Sequence, residues 1–356
     1  MVWSWGWVMA NAVVESAGKP AIRHADHSAE WPHPPAAPGW MAWTPHAAVL
    51  WALAYGLVRV WWAIHGAPGS GPMHLDLIVF TGWGAVGLCA AAALVAFGLR
   101  TAPWNRSLLV AGWAVCAAHL AACPILLLDL VGGLLPGVGV AFDPKAFASR
   151  AACLIEGILV GAVAVAYRRR WHSACLFCGR AGVSARLAQP PRWAWWAAYA
   201  AVAGCLTRLG AQASIGFGVM QRPPRVTRLA FEIESLVFEA AFLLAGTVLP
   251  LALVHTWGRV LPRWVRLLAG RRVPRWLPLG PAFAISTLMT VYFGLTLVML
   301  AADTLSGAWR QSFSIFPLAF FWVAVSAYWI WGVGLGIAAI SYYRTTRPPC
   351  KACGRL

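Results

Sequence analysis

Apolar residues come in blocks along this chain. Eight blocks of about 20 residues, near 46–65, 76–98, 107–129, 150–167, 193–212, 234–256, 280–302 and 315–341, are separated by segments that hold most of the Arg and Pro. A bilayer core about 30 Å thick takes about 20 residues of α-helix at 1.5 Å rise, so each block is long enough to cross. Most blocks are apolar on every side rather than striped with period 3.6, the pattern of a helix set between lipid and other helices. The pattern predicts an all-α, polytopic helical membrane protein with eight transmembrane helices. The fourth and fifth blocks are the shortest, and a seven-span or re-entrant arrangement is the alternative.

Composition supports the same class. Of the 356 residues, 60% are hydrophobic and 11% charged, and the mean hydropathy is +0.67, too much apolar surface for a water-soluble domain to hide. The formal charge is +17, yet the basic residues sit between apolar blocks and form no long basic tail, which excludes nucleic acid as the first choice of partner. Their distribution gives the orientation instead, because Lys and Arg are retained on the cytoplasmic side. With both termini inside, twenty basic residues fall in cytoplasmic segments and six outside (Lys145, Arg150, Arg222, Arg225, Arg228, Arg310), while Arg59 and Arg208 lie within spans. Membrane lipids are therefore the expected surroundings. The opening residues lack a basic n-region and do not read as a cleaved signal peptide, and Met9 is an alternative start. The stretch Gly18–Gly39, with His24, His27 and His33, reads as a solvated tail.

The chain also repeats itself. Gly157, Gly161, Tyr167, Cys175 and Cys178 match Gly332, Gly336, Tyr342, Cys350 and Cys353 in one unbroken register, every pair at the same separation. Earlier matches, Arg59 with Arg208, Phe80 with Phe238 and Asp129 with Asp303, have separations that rise in chain order toward that constant value. The expected organisation is a polar N-terminal tail over 1–45, a first four-helix repeat over 46–180 and a second over 181–356. Four spans per repeat is an even number, so the two repeats are parallel and related by an axis along the membrane normal.

Two cysteine classes follow. Cys89, Cys116, Cys123, Cys153 and Cys205 lie in apolar blocks and read as packing residues. Cys175 with Cys178, and Cys350 with Cys353, form two C-x-x-C-G-R hairpins in segments expected to be cytoplasmic, where thiols stay reduced. Two residues between thiolates aim both sulfurs at one ion, and the following glycine relieves the turn. A twofold axis would bring the hairpins together as a closed four-thiolate site, with structural zinc as the expected occupant. Iron also suits four sulfurs, and a dithiol–disulfide relay or unliganded thiols are the other readings.

Charges at membrane depth are the second candidate site. Arg59, Asp76, Asp129, Glu156, Arg208, Glu234, Glu239 and Asp303 all fall toward the outer side. Intramembrane charges pair with one another or line a wet cavity. One reading is mutual neutralisation. A second is an outward-facing charged cluster between the repeats that binds or transports a small ionic or amphipathic ligand, and a third is general acid and base chemistry by Glu156 or Glu239. His46, His65 and His119 read as packing or interfacial residues. No H-E-x-x-H, aspartate-rich pair, phosphate-binding glycine loop or G-x-S-x-G elbow is present, which weakens a membrane enzyme acting on lipid. A structural or regulatory protein stapled by zinc is the remaining alternative.

At Ala54–Ala63, Asp76–Trp83 and Leu134–Asp143 the chain resembles uncharacterised multi-pass membrane proteins of Ala-rich, high-GC actinobacterial genomes. The resemblance covers mainly the first half. It implies a bacterial plasma membrane and brings no activity and no catalytic residues.

Overall fold

A computed structural model describes residues 37–67, 79–135, 142–171, 175–180, 189–216, 233–260, 270–307, 318–350 and 352–353. Among these residues there is no strand, only an isolated bridge between Val260 and Arg272. The helices are α1 (Trp40–His65), α2 (Trp83–Thr101), α3 (Arg106–Ala122), α4 (Leu126–Leu134), α5 (Pro144–Trp171), α6 (Arg192–Gly216), α7 (Ile233–Leu243), α8 (Leu249–Val254), α9 (Trp276–Ser306) and α10 (Leu318–Thr346). A π-helical turn, Leu244–Val248, joins α7 to α8.

Seven of these helical stretches are long and apolar enough to cross a membrane: α1, α2, α3 running into α4, α5, Val237–Val254, α9 and α10. The fifth expected span, α6, is a helix of 25 residues but lies outside that set. Trp195, Trp196, Tyr199 and Arg208 lower its hydropathy. The expected 107–129 span is broken at Cys123–Pro124, because proline has no N–H to donate and its ring crowds the preceding turn. The expected 150–167 span runs from 144 to 171. Asp143 caps it, its Oδ1 accepting from the N–H of Lys145 at 2.8 Å and of Ala146 at 3.3 Å, and Pro144 fills the first helical position. Arg150, expected in an outer loop, therefore lies inside a helix.

Helices α1, α2, α3 and α5 pack together, as do α6, α7–α8, α9 and α10, and the two groups touch where α9 lies against α3 and α4. Hydrocarbon offers helices no hydrophobic drive to associate, so close backbone approach and van der Waals packing carry the seams, and these need small residues. Ala194, Ala198, Ala201 and Cys205 form the fully buried face of α6 against α10. A Cβ on Gly204 would lie 2.5 Å from the Ala327 carbonyl oxygen, and one on Gly334 the same distance from that of Ala197. Across α3 and α5, Gly157 accepts the His119 Cβ and Gly161 the Cys116 sulfur. Across α9 and α10, Gly332 meets Met289 and Gly336 meets Ser286. The glycines of the two seams are spaced alike along α5 and α10, and their partners are spaced alike along α3 and α9.

The end of each bundle carrying the cysteines is tied by one tyrosine. The Tyr167 hydroxyl donates to the Pro103 carbonyl at 2.5 Å and accepts from the Asn105 N–H at 2.6 Å, holding the α2–α3 link. Tyr342, its counterpart in the second half, donates to the Gly258 carbonyl at 3.0 Å and holds the α8–α9 link.

The seams set a stability test. Gly204→Val and Gly334→Val force the α6 and α10 backbones apart and are each expected to cost about 1–3 kcal/mol or more. Gly87→Ala, in a helix interior with nothing within 4 Å of the new Cβ, is expected to be stabilising by about 0.5–1 kcal/mol. Thermal midpoints of the three purified variants in detergent check the contrast.

Candidate metal centre and buried charges

Both cysteine hairpins emerge from helix ends. Cys175 and Cys178 follow α5, Cys350 and Cys353 follow α10, and the four sulfurs lie within 4.8 Å of one another. Cys175 Sγ is 4.0 Å from Cys350 Sγ, and Cys178 Sγ is 3.6 Å from Cys353 Sγ. A tetrahedral ion with metal–sulfur bonds of about 2.3 Å holds its sulfurs about 3.8 Å apart, so the spacing suits one shared ion. A disulfide needs about 2.05 Å, and all four are free thiols here.

The backbone is shaped for this. The Cys175 N–H donates to the Arg180 carbonyl at 3.1 Å and the Gly179 N–H to the Cys175 carbonyl at 2.6 Å, closing a tight turn. Gly179 sits at φ 70°, where a side chain is strained, and a Cβ there would lie 2.9 Å from Arg169 Nε. Arg169 uses that space to donate Nη1 to the carbonyls of Leu176 at 3.0 Å and Phe177 at 3.3 Å. Two arginines then cross between the hairpins. Arg180 donates to the Pro348 carbonyl at 3.2 Å, and Arg347 donates to the Cys178 carbonyl. Four thiolates around a divalent ion leave a dianion, and these three guanidiniums surround the place where that charge falls. Burial raises the Cys350 thiol, but the N–H groups of Ala352 and Cys353 and the facing Cys353 and Cys178 side chains outweigh it and bring it down to about 7. Cys175 is likewise below its ordinary value, burial again being outweighed by N–H groups, those of Cys178 and Phe177, and by facing thiols.

The membrane charges sort into local groups. Asp129 on α4 and Arg150 on α5, both almost fully buried, form an ion pair, Nη1 lying 2.5 Å and 2.7 Å from the two carboxylate oxygens. Arg208 on α6 donates Nε to the Tyr328 hydroxyl at 2.6 Å and Nη1 to Glu239 at 3.3 Å, and its guanidinium lies 4.3 Å from the Phe242 ring centre. Arg59 on α1 is buried with its guanidinium 5.4 Å from the Trp62 ring. Glu156 on α5 is fully buried, and neither carboxyl oxygen has a hydrogen-bond partner among the described residues. Asp303 is half-buried near the end of α9. Asp76, and the side chain of Glu234, lie outside the described residues. The two pairs thus lie within separate helix groups, one in each.

Two members were not anticipated. Arg150 escaped because the hydrophobic block begins only at its own position, so it counted as a loop residue. Tyr328 escaped because an aromatic in an apolar run carries no signal of its own. Between the helix groups lies a cavity of about 190 Å³, walled by Ile125, Leu128 and Val131 of the first group and by Phe242, Phe293 and Tyr328 of the second. It is almost wholly apolar. Arg208 touches two of its wall residues, Phe242 and Tyr328.

No protein-family model, curated protein or solved structure matches this chain. Its function has to be read from the geometry of the site.

Four outcomes are expected. Protein purified without chelator retains about one equivalent of tetrahedral metal by elemental analysis, lost when Cys175, Cys178, Cys350 and Cys353 are changed to Ser. In metal-stripped protein, alkylation of Cys350 accelerates as pH rises through about 7, where its thiol gives up its proton. Asp129→Asn breaks a buried ion pair and is expected to cost about 3–5 kcal/mol. Glu239→Gln, in a pair where the acid is 37% exposed, is expected to cost under about 1 kcal/mol, and unfolding midpoints separate the two.

Proposed function

We propose that this chain is a bacterial plasma-membrane protein of two parallel four-helix repeats, eight spans in all. Both termini are cytoplasmic, the repeats are stapled inside by a four-thiolate zinc site, and an amphipathic ligand binds between them. The single observation that carries the ligand is the cavity between the helix groups. It is apolar, yet two of its wall side chains, Phe242 and Tyr328, are those against which Arg208 packs. A hydrocarbon chain or ring fits the apolar part, since an apolar cavity of about 150 Å³ already takes benzene. The Arg208–Glu239 pair offers its polar end a partner.

Other observations support the repeat. The Tyr167 and Tyr342 hydroxyls make corresponding bonds, and the glycines of α5 and α10 receive α3 and α9 in the same register. The hairpins, which hold the same place in each half, converge as a twofold relation requires. Zinc is supported by the closed set of four thiols and the surrounding arginine donors. A closed set leaves no position for water or substrate, which suits a structural metal.

The test is photolabelling in liposomes with a fatty acid bearing a diazirine near its tail, read by mass spectrometry. Crosslinks are expected at Leu128, Phe242 and Tyr328, and Leu128→Trp, which fills the cavity, is expected to remove them. Equal labelling of bilayer-facing residues such as Leu94 and Val298 in both proteins would leave only general contact with lipid.

A further inference from the structure

Of the acids whose side chains are described within spans, Glu156 alone is both fully buried and without a hydrogen bond to either carboxyl oxygen. It lies twelve residues into the 28-residue helix α5, about 18 Å along its axis and near the middle of that helix. Asp129 and Glu239 have arginine partners at 2.5 Å and 3.3 Å. Around Glu156 the groups that carry or exchange charge come from every helix packed on α5. Helix α1 supplies Arg59, together with Tyr55, whose hydroxyl is 2.8 Å from Ser149 Oγ. Helix α2 supplies Cys89, α3 supplies His119 with Cys123 just past its end, and α4 supplies Asp129 already paired with Arg150. Cys89, on α2, and Cys153, on α5, are both within electrostatic range of Glu156 and of Arg59.

His119 is the second group of this kind. It is fully buried, its Nδ1 is engaged by the Val115 carbonyl at 2.9 Å, and its Nε2 has no partner among the described residues. It sits at the α3–α5 seam, where Gly157, the residue after Glu156, takes its Cβ. The scaffold does not need these groups. At the same register of the second half, Trp331 stands for Glu156 and Met289 for His119, and both are buried in an intact core.

A buried carboxylate with no donor facing it is among the most costly groups a protein can hold, and an ionisable residue at that depth marks a functional site. From this we infer that Glu156 is a proton-binding site in the membrane interior of the first helix group. The ligand is H⁺, held as an O–H bond on one carboxyl oxygen. It leaves that oxygen for a water molecule, which becomes hydronium, and the Glu156 carboxylate remains. This inference does not depend on the cavity between the groups or on its ligand.

Infrared spectroscopy of the full chain in lipid tests it directly. The difference between wild type and Glu156→Gln at neutral pH is expected to contain a carboxylic-acid carbonyl band, which converts to carboxylate bands as pH is raised. A difference holding carboxylate bands alone at neutral pH overturns the site. Because the variant can fail to fold, the wild type is also treated with dicyclohexylcarbodiimide and peptide-mapped. The acid's proton passes to a carbodiimide nitrogen, and its oxygen bonds to the carbodiimide carbon. An adduct on Glu156 that forms several-fold more slowly at pH 9 than at pH 6 supports the proposal. No adduct, or one formed equally fast at both, overturns it.

Discussion

Hydrocarbon supplies neither hydrogen bonds to a free backbone nor a hydrophobic reason for two helices to touch. The first deficit explains why the described spans are helical, and the second explains the glycines. Where α6 meets α10, the backbones of Gly204 and Gly334 come against the carbonyls of Ala327 and Ala197, too close for any side chain. The Ala-rich composition is the material for such seams, not a neutral filler. On the outside, large residues such as Leu94 and Val298 face away from the core.

Against that background the polar residues stand out by how each is satisfied. Arg150 and Asp129 neutralise one another between α4 and α5, and Arg208 gathers a carboxylate, a phenol and an aromatic face. Three arginines at the cysteine end are spent on carbonyls of the hairpins. Glu156 and Nε2 of His119 have no such satisfaction among the described residues. The same helical frame thus carries paired charges that fasten it and unpaired groups that do not.

Much of this was legible beforehand, because block length and blanket apolarity are direct consequences of the solvent. The helical blocks and the hairpins were readable for that reason, and the matching positions of Cys175 and Cys350 in the two halves suggested that their sulfurs would meet. Boundaries were less legible. The α3–α4 break is made by one proline, Pro124, inside an unbroken apolar run, and the extra turn of α5 before residue 150 is amphipathic enough to look like a loop. Charge partners were the least legible. Asp129 and Arg150 are 21 residues apart on different helices, and Arg208 reaches Tyr328 across 120 residues, distances over which local pattern says nothing.

The convergence of the two hairpins has a consequence for biosynthesis. The second pair of thiols is translated at the far end of the second half, so Cys175 and Cys178 must wait while an entire set of later helices is threaded into the bilayer. Only a chain whose second half has inserted the right way round brings Cys350 and Cys353 to the same surface. A misinserted polypeptide would keep its two dithiols apart, so the meeting of the four sulfurs is a mark of the assembled chain.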